Sequence, residues 1–210
     1  MTVSHRSRSR GSFRRRQGKT PPRAVTLIVC EGATEHTYFD ALRMRLRLTN
    51  AEVLFPNPGG SAPINIVDCA IKKAREVGGY DFIYCVFDRD PGAESFNRAL
   101  DKLRANAKQH PLYPVISIPC FEYWVLLHFV NTDAPFDRCE KVIERLQQHL
   151  TDYIKGNREQ IEDILNRLDD AVARANQLFP DQTATSDNPY TSAHRLVQHL
   201  RGIAAQEPKI

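Results

Sequence analysis

No stretch of this sequence approaches the ~20 consecutive apolar residues that a membrane span needs. No apolar segment follows the Arg-containing N-terminus, so a secretory leader is not expected either, and the expected location is the cytoplasm. No two of the five cysteines stand as a C-x-x-C pair, and their number is odd. Cys30 and Cys85 lie inside apolar runs, so reduced, buried thiols are expected ahead of zinc ligands or disulfides. Gly59-Gly60-Ser61 precedes a helical pattern but lacks the Gly-Lys-Ser/Thr ending of a phosphate-binding P-loop, and a plain loop is expected. No Ser-His-Asp or Cys-His arrangement stands at a recognisable spacing, which argues against a covalent nucleophile.

Acids are missing from residues 1–24, which hold Arg6, Arg8, Arg10, Arg14, Arg15, Arg16, Lys19 and Arg23. The remaining chain has 21 basic against 25 acidic residues, so the net charge of +4 belongs to an arm and not to the fold. Residues 1–22 are nearly devoid of apolar side chains and are expected to be disordered when free. Arg14, Arg15 and Arg16 within it are candidate phosphate contacts for nucleic acid; a solubility or assembly tail is the alternative.

What is present is globular: 41% hydrophobic residues in a chain of 210, enough for a real core. Residues 24–30 and 80–87 are continuous β-branched and aromatic runs, the pattern of strands buried on both faces. Shorter strands are expected at 51–55 and 115–118. Helices are expected from Thr34 to about residue 47, from 61 or 62 to Val77, over 93–109, over the apolar segment 121–129, and over 137–150, 158–178 and 190–204. Thr34 is expected to cap the first of these, and His128 to be a satisfied core residue. The alternation of strand and helix implies parallel crossovers and a sheet covered on both faces. The expected layout is a basic arm (1–22), an α/β domain (23–132) and a C-terminal helical region (133–210) packed on that core.

Two of the best strands end in acids: Val29-Cys30-Glu31-Gly32 and Val86-Phe87-Asp88-Arg89-Asp90. Parallel strands bring their carboxyl ends to one rim, where open sheets bind ligands. Asp88 and Asp90 share a face if the backbone stays extended. Carboxylates gathered there repel and are costly to desolvate. Mg²⁺, or Mn²⁺, is the natural compensation, being hard and oxygen-seeking, and a hydrated cation at such a rim suits phosphoryl chemistry. Glu35 is a candidate ligand one helical turn after Glu31, with a helix-start acid as the alternative. Glu122 interrupts the apolar 121–129 helix and is assigned to the same site. Arg89 is a candidate phosphate contact, a simple ion pair being equally open. Tyr153, Lys155, Asn188 and Thr191 are noted without a role. Asp-x-Asp after an apolar run also occurs in other phosphate enzymes, but the later Lys and acidic motifs of the haloacid-dehalogenase type are not found.

Glu-Gly after the first strand with Asp-x-Asp after the third resembles the Toprim signature of topoisomerases, primases and the nuclease domains of overcoming-lysogenization-defect proteins. The fuller pattern is closest to the RloB-like family. It is seen in VCEGATEHTYFDAL (29–42), YDFIYCVFDRD (80–90), SIPCFEYWVLLHF (117–129) and NPYTSAHRLVQHL (188–200). Ala33 stands where the E-G-x-x-E/D pattern often has a polar residue, which leaves the acids untouched. The resemblance implies a Toprim-like mostly parallel sheet with a C-terminal helical extension. It also implies a metal-dependent nuclease of RNA or DNA in antiphage, abortive-infection defence, often beside an ATPase. Glu31 would then be a metal-associated acid or general base, and Asp88 and Asp90 metal ligands. The alternative is a non-catalytic Toprim-fold subunit that binds nucleic acid or regulates the ATPase.

Overall fold

A computed structural model of the chain describes residues 24–56, 62–89, 94–180 and 188–206. The arm with Arg14, Arg15 and Arg16, the glycine loop at 57–61, and Asp90 lie outside the described residues.

Alternation within the strands decides the architecture. In β1 (Thr26–Cys30) every residue is buried. Ile28 and Cys30 enter one hydrophobic cluster, and Leu27 and Val29 enter another on the opposite face. Strand β3 (Phe82–Asp88) does the same, sending Val86 one way and Ile83, Cys85 and Phe87 the other. A strand that feeds two cores has no polar face, which is why these segments read as unbroken apolar runs. With β2 (Ala51–Leu54), β4 (Leu112–Ile118) and β5 (Tyr190–Thr191) they form one sheet in the order β2-β1-β3-β4-β5. The first four strands are parallel; β5 pairs antiparallel with the end of β4.

Helices α2 (Pro63–Val77) and α3 (Glu94–Asn106) cover one face with Ile66, Val67, Ala70, Phe96, Ala99 and Leu103. Helix α2 stops at Gly78, whose φ of 68° is a turn that glycine adopts at no steric cost. The other face is covered by α1 (Ala33–Arg45) and by the short α4 (Glu122–Leu126). The remaining helices are α5 (Cys139–Gln147), α6 (Arg158–Ile164), α7 (Leu168–Leu178) and α8 (Ala193–Ala205), all contributing to the same cluster as α1. The fold is thus α/β, a mostly parallel sheet flanked by helices with further helices towards the C-terminus.

Several boundaries differ from the sequence expectation for physical reasons. The single helix expected over 158–178 is broken by a 3-10 turn at Leu165–Arg167, although its apolar periodicity runs through the break. Strand β5 was not expected; two residues carry too little pattern to be seen. Gly32 is the N-cap of α1, so Thr34 sits inside the first turn and its hydroxyl turns to another partner. His128 is fully buried within hydrogen-bond reach at both nitrogens. Nδ1 lies 3.0 Å from the Trp124 carbonyl and therefore carries the proton, leaving Nε2 to accept from the Tyr38 hydroxyl at 3.0 Å. Burial keeps this ring neutral, its pKa down to about 3.

The cysteine expectation holds for Cys30 and Cys85, which are buried and free, and is corrected for Cys120 and Cys139. Cys120 and Cys139, 19 residues apart with Cα atoms 5.5 Å from each other, are joined as a disulfide; Cys30, Cys69 and Cys85 are free. Two well-separated positions, one in a turn and one opening a helix, give no local signal of pairing. Only the packing of α5 beside the start of α4 brings them together.

Candidate metal centre

Register places the first two acids. Pairing of β1 with β3 sets Cys30 opposite Val86, and the backbone N–H of Glu31 donates to the Val86 carbonyl at 3.0 Å. Glu31 therefore leaves β1 level with the last residues of β3. Its Oε2 accepts the backbone N–H of Asp88 at 3.0 Å, so the carboxylate spans from one strand end to the next. Asp88 is the final residue of β3 and pairs with Ser117 of β4.

The other two acids come from helix starts. Glu35 lies in the first turn of α1 and is 4% exposed. Its carboxyl folds back over Gly32, where an added Cβ would sit 2.5 Å from Glu35 Oε2. Gly32 has φ −122°, ordinary extended backbone, so glycine is needed there for room and not for a special turn. Glu122 opens α4 and is 2% exposed. Its Oε1 accepts the Thr34 hydroxyl at 3.0 Å and the Tyr153 hydroxyl at 3.4 Å, and its Oε2 lies 3.4 Å from Lys155 Nζ.

Glu31, Gly32, Ala33, Thr34, Glu35, Asp88, Glu122 and Lys155 line one cleft of about 250 Å³ at the carboxyl rim of the sheet. Its electrostatics are those of crowded acids. Burial is the largest influence on Glu35, raising its pKa to about 8; its own helix-start N–H opposes this, Glu122 and Glu31 push it further up, and Lys155 pulls it down. Asp88 is held well above the usual carboxylate range by burial first, then by Glu35, Glu122 and Glu31. Among the described residues that line the cleft, Lys155 is the cation facing four acids. The donor set is all oxygen, which suits a hard divalent cation.

The four carboxylates share the cleft without closing into one tight shell. Among the described residues, the set of three donor atoms lying within 4.8 Å of one another is Cys120, Glu122 and Cys139, at the cleft's edge.

The remaining candidates fall elsewhere. The Arg89 guanidinium lies over the Phe96 ring, 5.6 Å from its centroid, and Arg89 is not among the cleft-lining residues. Asn188 clamps Phe136, accepting from its N–H at 3.2 Å and donating to its carbonyl at 2.7 Å. Thr191 is buried against the Ser117 hydroxyl at 3.2 Å. Both are structural. Tyr153 and Lys155, by contrast, reach the acids. The loop carrying them is pinned to α1: Gly156, at φ +71°, packs so close to Ala33 that a Cβ would lie 3.1 Å from Ala33 Cβ, and its carbonyl accepts from the Thr37 hydroxyl at 3.3 Å. A lysine after a tyrosine in a polar loop gives no hint of this; it follows from how α6 packs on α1.

Among the described residues, no helix is long and apolar enough to cross a membrane. No curated protein and no solved structure shows significant similarity to the chain. The family model described as RloB-like protein matches residues 26–200, from the first residue of β1 to within α8. The chain belongs to the RloB-like family.

Proposed function

We propose that the protein is a divalent-cation-dependent nuclease that hydrolyses phosphodiester bonds of RNA or DNA. The observation that carries this reading is the convergence of Glu31, Glu35, Asp88 and Glu122 with Lys155 on one cleft at the sheet's carboxyl rim. Mg²⁺ or Mn²⁺, held by Asp88 and Glu31 with Glu35 and Glu122 beside them, would supply charge neutralisation and polarisation of a phosphoryl oxygen. Asp90 and the arm residues Arg14, Arg15 and Arg16 stay in the proposal as a further ligand and as phosphate contacts. The role in cytoplasmic antiphage defence, of the abortive-infection type and beside an ATPase, rests on the family likeness alone.

The chain's own groups divide the work. Asp88 N–H holds the Glu31 carboxylate at the cleft, level with the end of β3. Lys155, with its side chain 55% exposed, can swing from Glu122 to an arriving phosphate and offset the charge that develops on it. Glu35, whose pKa of about 8 lies near neutrality, can hold a proton or release one at the cleft.

End-labelled single- and double-stranded RNA and DNA, incubated with the full chain and Mg²⁺ or Mn²⁺, should be cut, and chelation by EDTA should stop it. Metal binding with no cleavage of any of the four would move the reading to a non-catalytic, nucleic-acid-binding or ATPase-regulating module.

Gly32→Ala gives a sharper local test. The new Cβ displaces the Glu35 carboxyl, while the extended backbone accepts alanine. Mn²⁺ affinity by titration calorimetry should fall about tenfold, the size of a disturbed ligand shell, with the circular-dichroism melting curve retained. Unchanged affinity would take Glu35 out of the site.

A further inference from the structure

At the cleft's edge, one carboxylate belongs to two groupings. Glu122 faces Thr34, Tyr153 and Lys155, and it also stands beside the Cys120–Cys139 pair, the sulfurs and a Glu122 oxygen all lying within 4.8 Å of one another. Lys155 Nζ, 3.4 Å from Glu122 Oε2, is 3.7 Å from Cys139 Sγ. The sulfurs are held there by two separate elements: Cys120 ends the turn after β4, and Cys139 opens α5.

We propose that Cys120, Cys139 and Glu122 form a second cation site, distinct in chemistry from the all-oxygen cleft, which takes Zn²⁺ or a similar thiophilic divalent ion in the dithiol state and is closed by the disulfide. Thiolates and carboxylates are both ligands of tetrahedral Zn²⁺, and three protein ligands leave a fourth position for water or another ligand. With Zn–S bonds near 2.3 Å, tetrahedral geometry puts the sulfurs roughly 3.8 Å apart. Side-chain rotation reaches this while the Cα atoms stay 5.5 Å apart. The charges also close. One divalent ion with three anionic ligands leaves a single negative charge, and Lys155 stands beside both Glu122 and Cys139 to balance it. A neighbouring cation also favours thiolate over thiol.

Opening the site is a thiol–disulfide exchange. A small dithiol gives two electrons and two protons to the Cys120–Cys139 bond and leaves as its own cyclic disulfide. Binding of the ion then releases both thiol protons. Because Glu122 is shared, an ion held by the thiolates draws this carboxylate from the cleft. On the nuclease reading, thiophilic ions would therefore inhibit the reduced protein and spare the oxidised one.

Co²⁺ tests the site directly, since thiolate ligation gives near-ultraviolet charge-transfer absorption and tetrahedral geometry gives intense visible bands. Full-length protein, reduced with dithiothreitol and desalted under argon, should develop both at one Co²⁺ per chain and lose them on adding Zn²⁺. Untreated disulfide protein should show neither. Cys120→Ser and Cys139→Ser should each weaken the charge-transfer band and the affinity at least tenfold. Glu122→Gln should keep the band and weaken affinity about tenfold. Cys69→Ser should change nothing. No charge-transfer band in the reduced wild type would overturn the proposal, as would a band that survives in the Cys120→Ser/Cys139→Ser double variant. Circular dichroism of each variant separates loss of the site from loss of the fold. None of these readouts depends on cleavage, so their failure and failure of the nuclease reading are distinguishable.

Discussion

Asp88→Asn is expected to lower the cleavage rate at least ~10³-fold, about 4 kcal/mol of transition-state stabilisation, without unfolding the protein. The substitution keeps the shape of the side chain and the backbone N–H that holds Glu31 Oε2, so the neighbouring acid stays in place. What is lost is one anionic oxygen at the end of β3. Asp88 is half-buried among Glu35, Glu122 and Glu31, and burial with those neighbours already raises its pKa. A neutral amide relieves that repulsion. The melting temperature of metal-free Asp88→Asn should therefore equal or exceed that of wild type at pH 8, while its rise on adding Mg²⁺ should be much smaller. A variant that cleaves at wild-type rate would remove the metal mechanism. One that is inactive because it has melted would show in the same thermal scan.

Glu35→Gln carries the second large effect, on the pH dependence of stability. Glu35 has a folded pKa of about 8 against an ordinary value of 4.5. Between those pH values the folded state binds more protons than the unfolded one. Stability then falls as pH rises, and the loss is complete once pH passes the folded value. His128 and His194 act in the opposite sense, since burial depresses their pKa values and makes folding more favourable as pH rises towards their ordinary value of 6.5. Above pH 7 both rings are neutral in either state, so the window from pH 7 to about 8.5 reports the raised carboxyls, Asp88 as well as Glu35, and the difference between wild type and Glu35→Gln isolates Glu35. There the metal-free wild type should lose melting temperature steadily, and Glu35→Gln should be flatter and more stable, by a few kcal/mol at the upper end. Saturating Mg²⁺ should remove most of the wild-type slope and little of the variant's. Parallel slopes for the two proteins across that window would mean that Glu35 is ionised without cost.

These acids were partly legible in the sequence. Glu31 and Asp88 could be placed because β1 and β3 are buried on both faces. That burial leaves unbroken apolar runs, and their abrupt ends mark the rim. Glu122 was visible as an acid interrupting an all-apolar segment. Thr34 was misread as a cap because a Thr near a helix start is usually one; here Gly32 takes the cap position and the hydroxyl is turned to Glu122, 88 residues away. Lys155 and Tyr153 could be noted but not assigned to the site, since what brings them to the cleft is the packing of Gly156 on Ala33, a contact between distant segments. The Cys120–Cys139 pair is of the same kind. Sequence pattern reports which face of an element is buried. It does not report which distant loop ends up against it.

The proposed chemistry depends on the four carboxylates acting together on one hard cation. Crystals soaked with Mn²⁺ and measured at the manganese absorption edge test that most directly. An anomalous peak is expected within bonding distance of Asp88 and Glu31, with Glu35 and Glu122 turned towards it. A peak only at the Cys120–Glu122–Cys139 edge, or none in the cleft at saturating Mn²⁺, would contradict it.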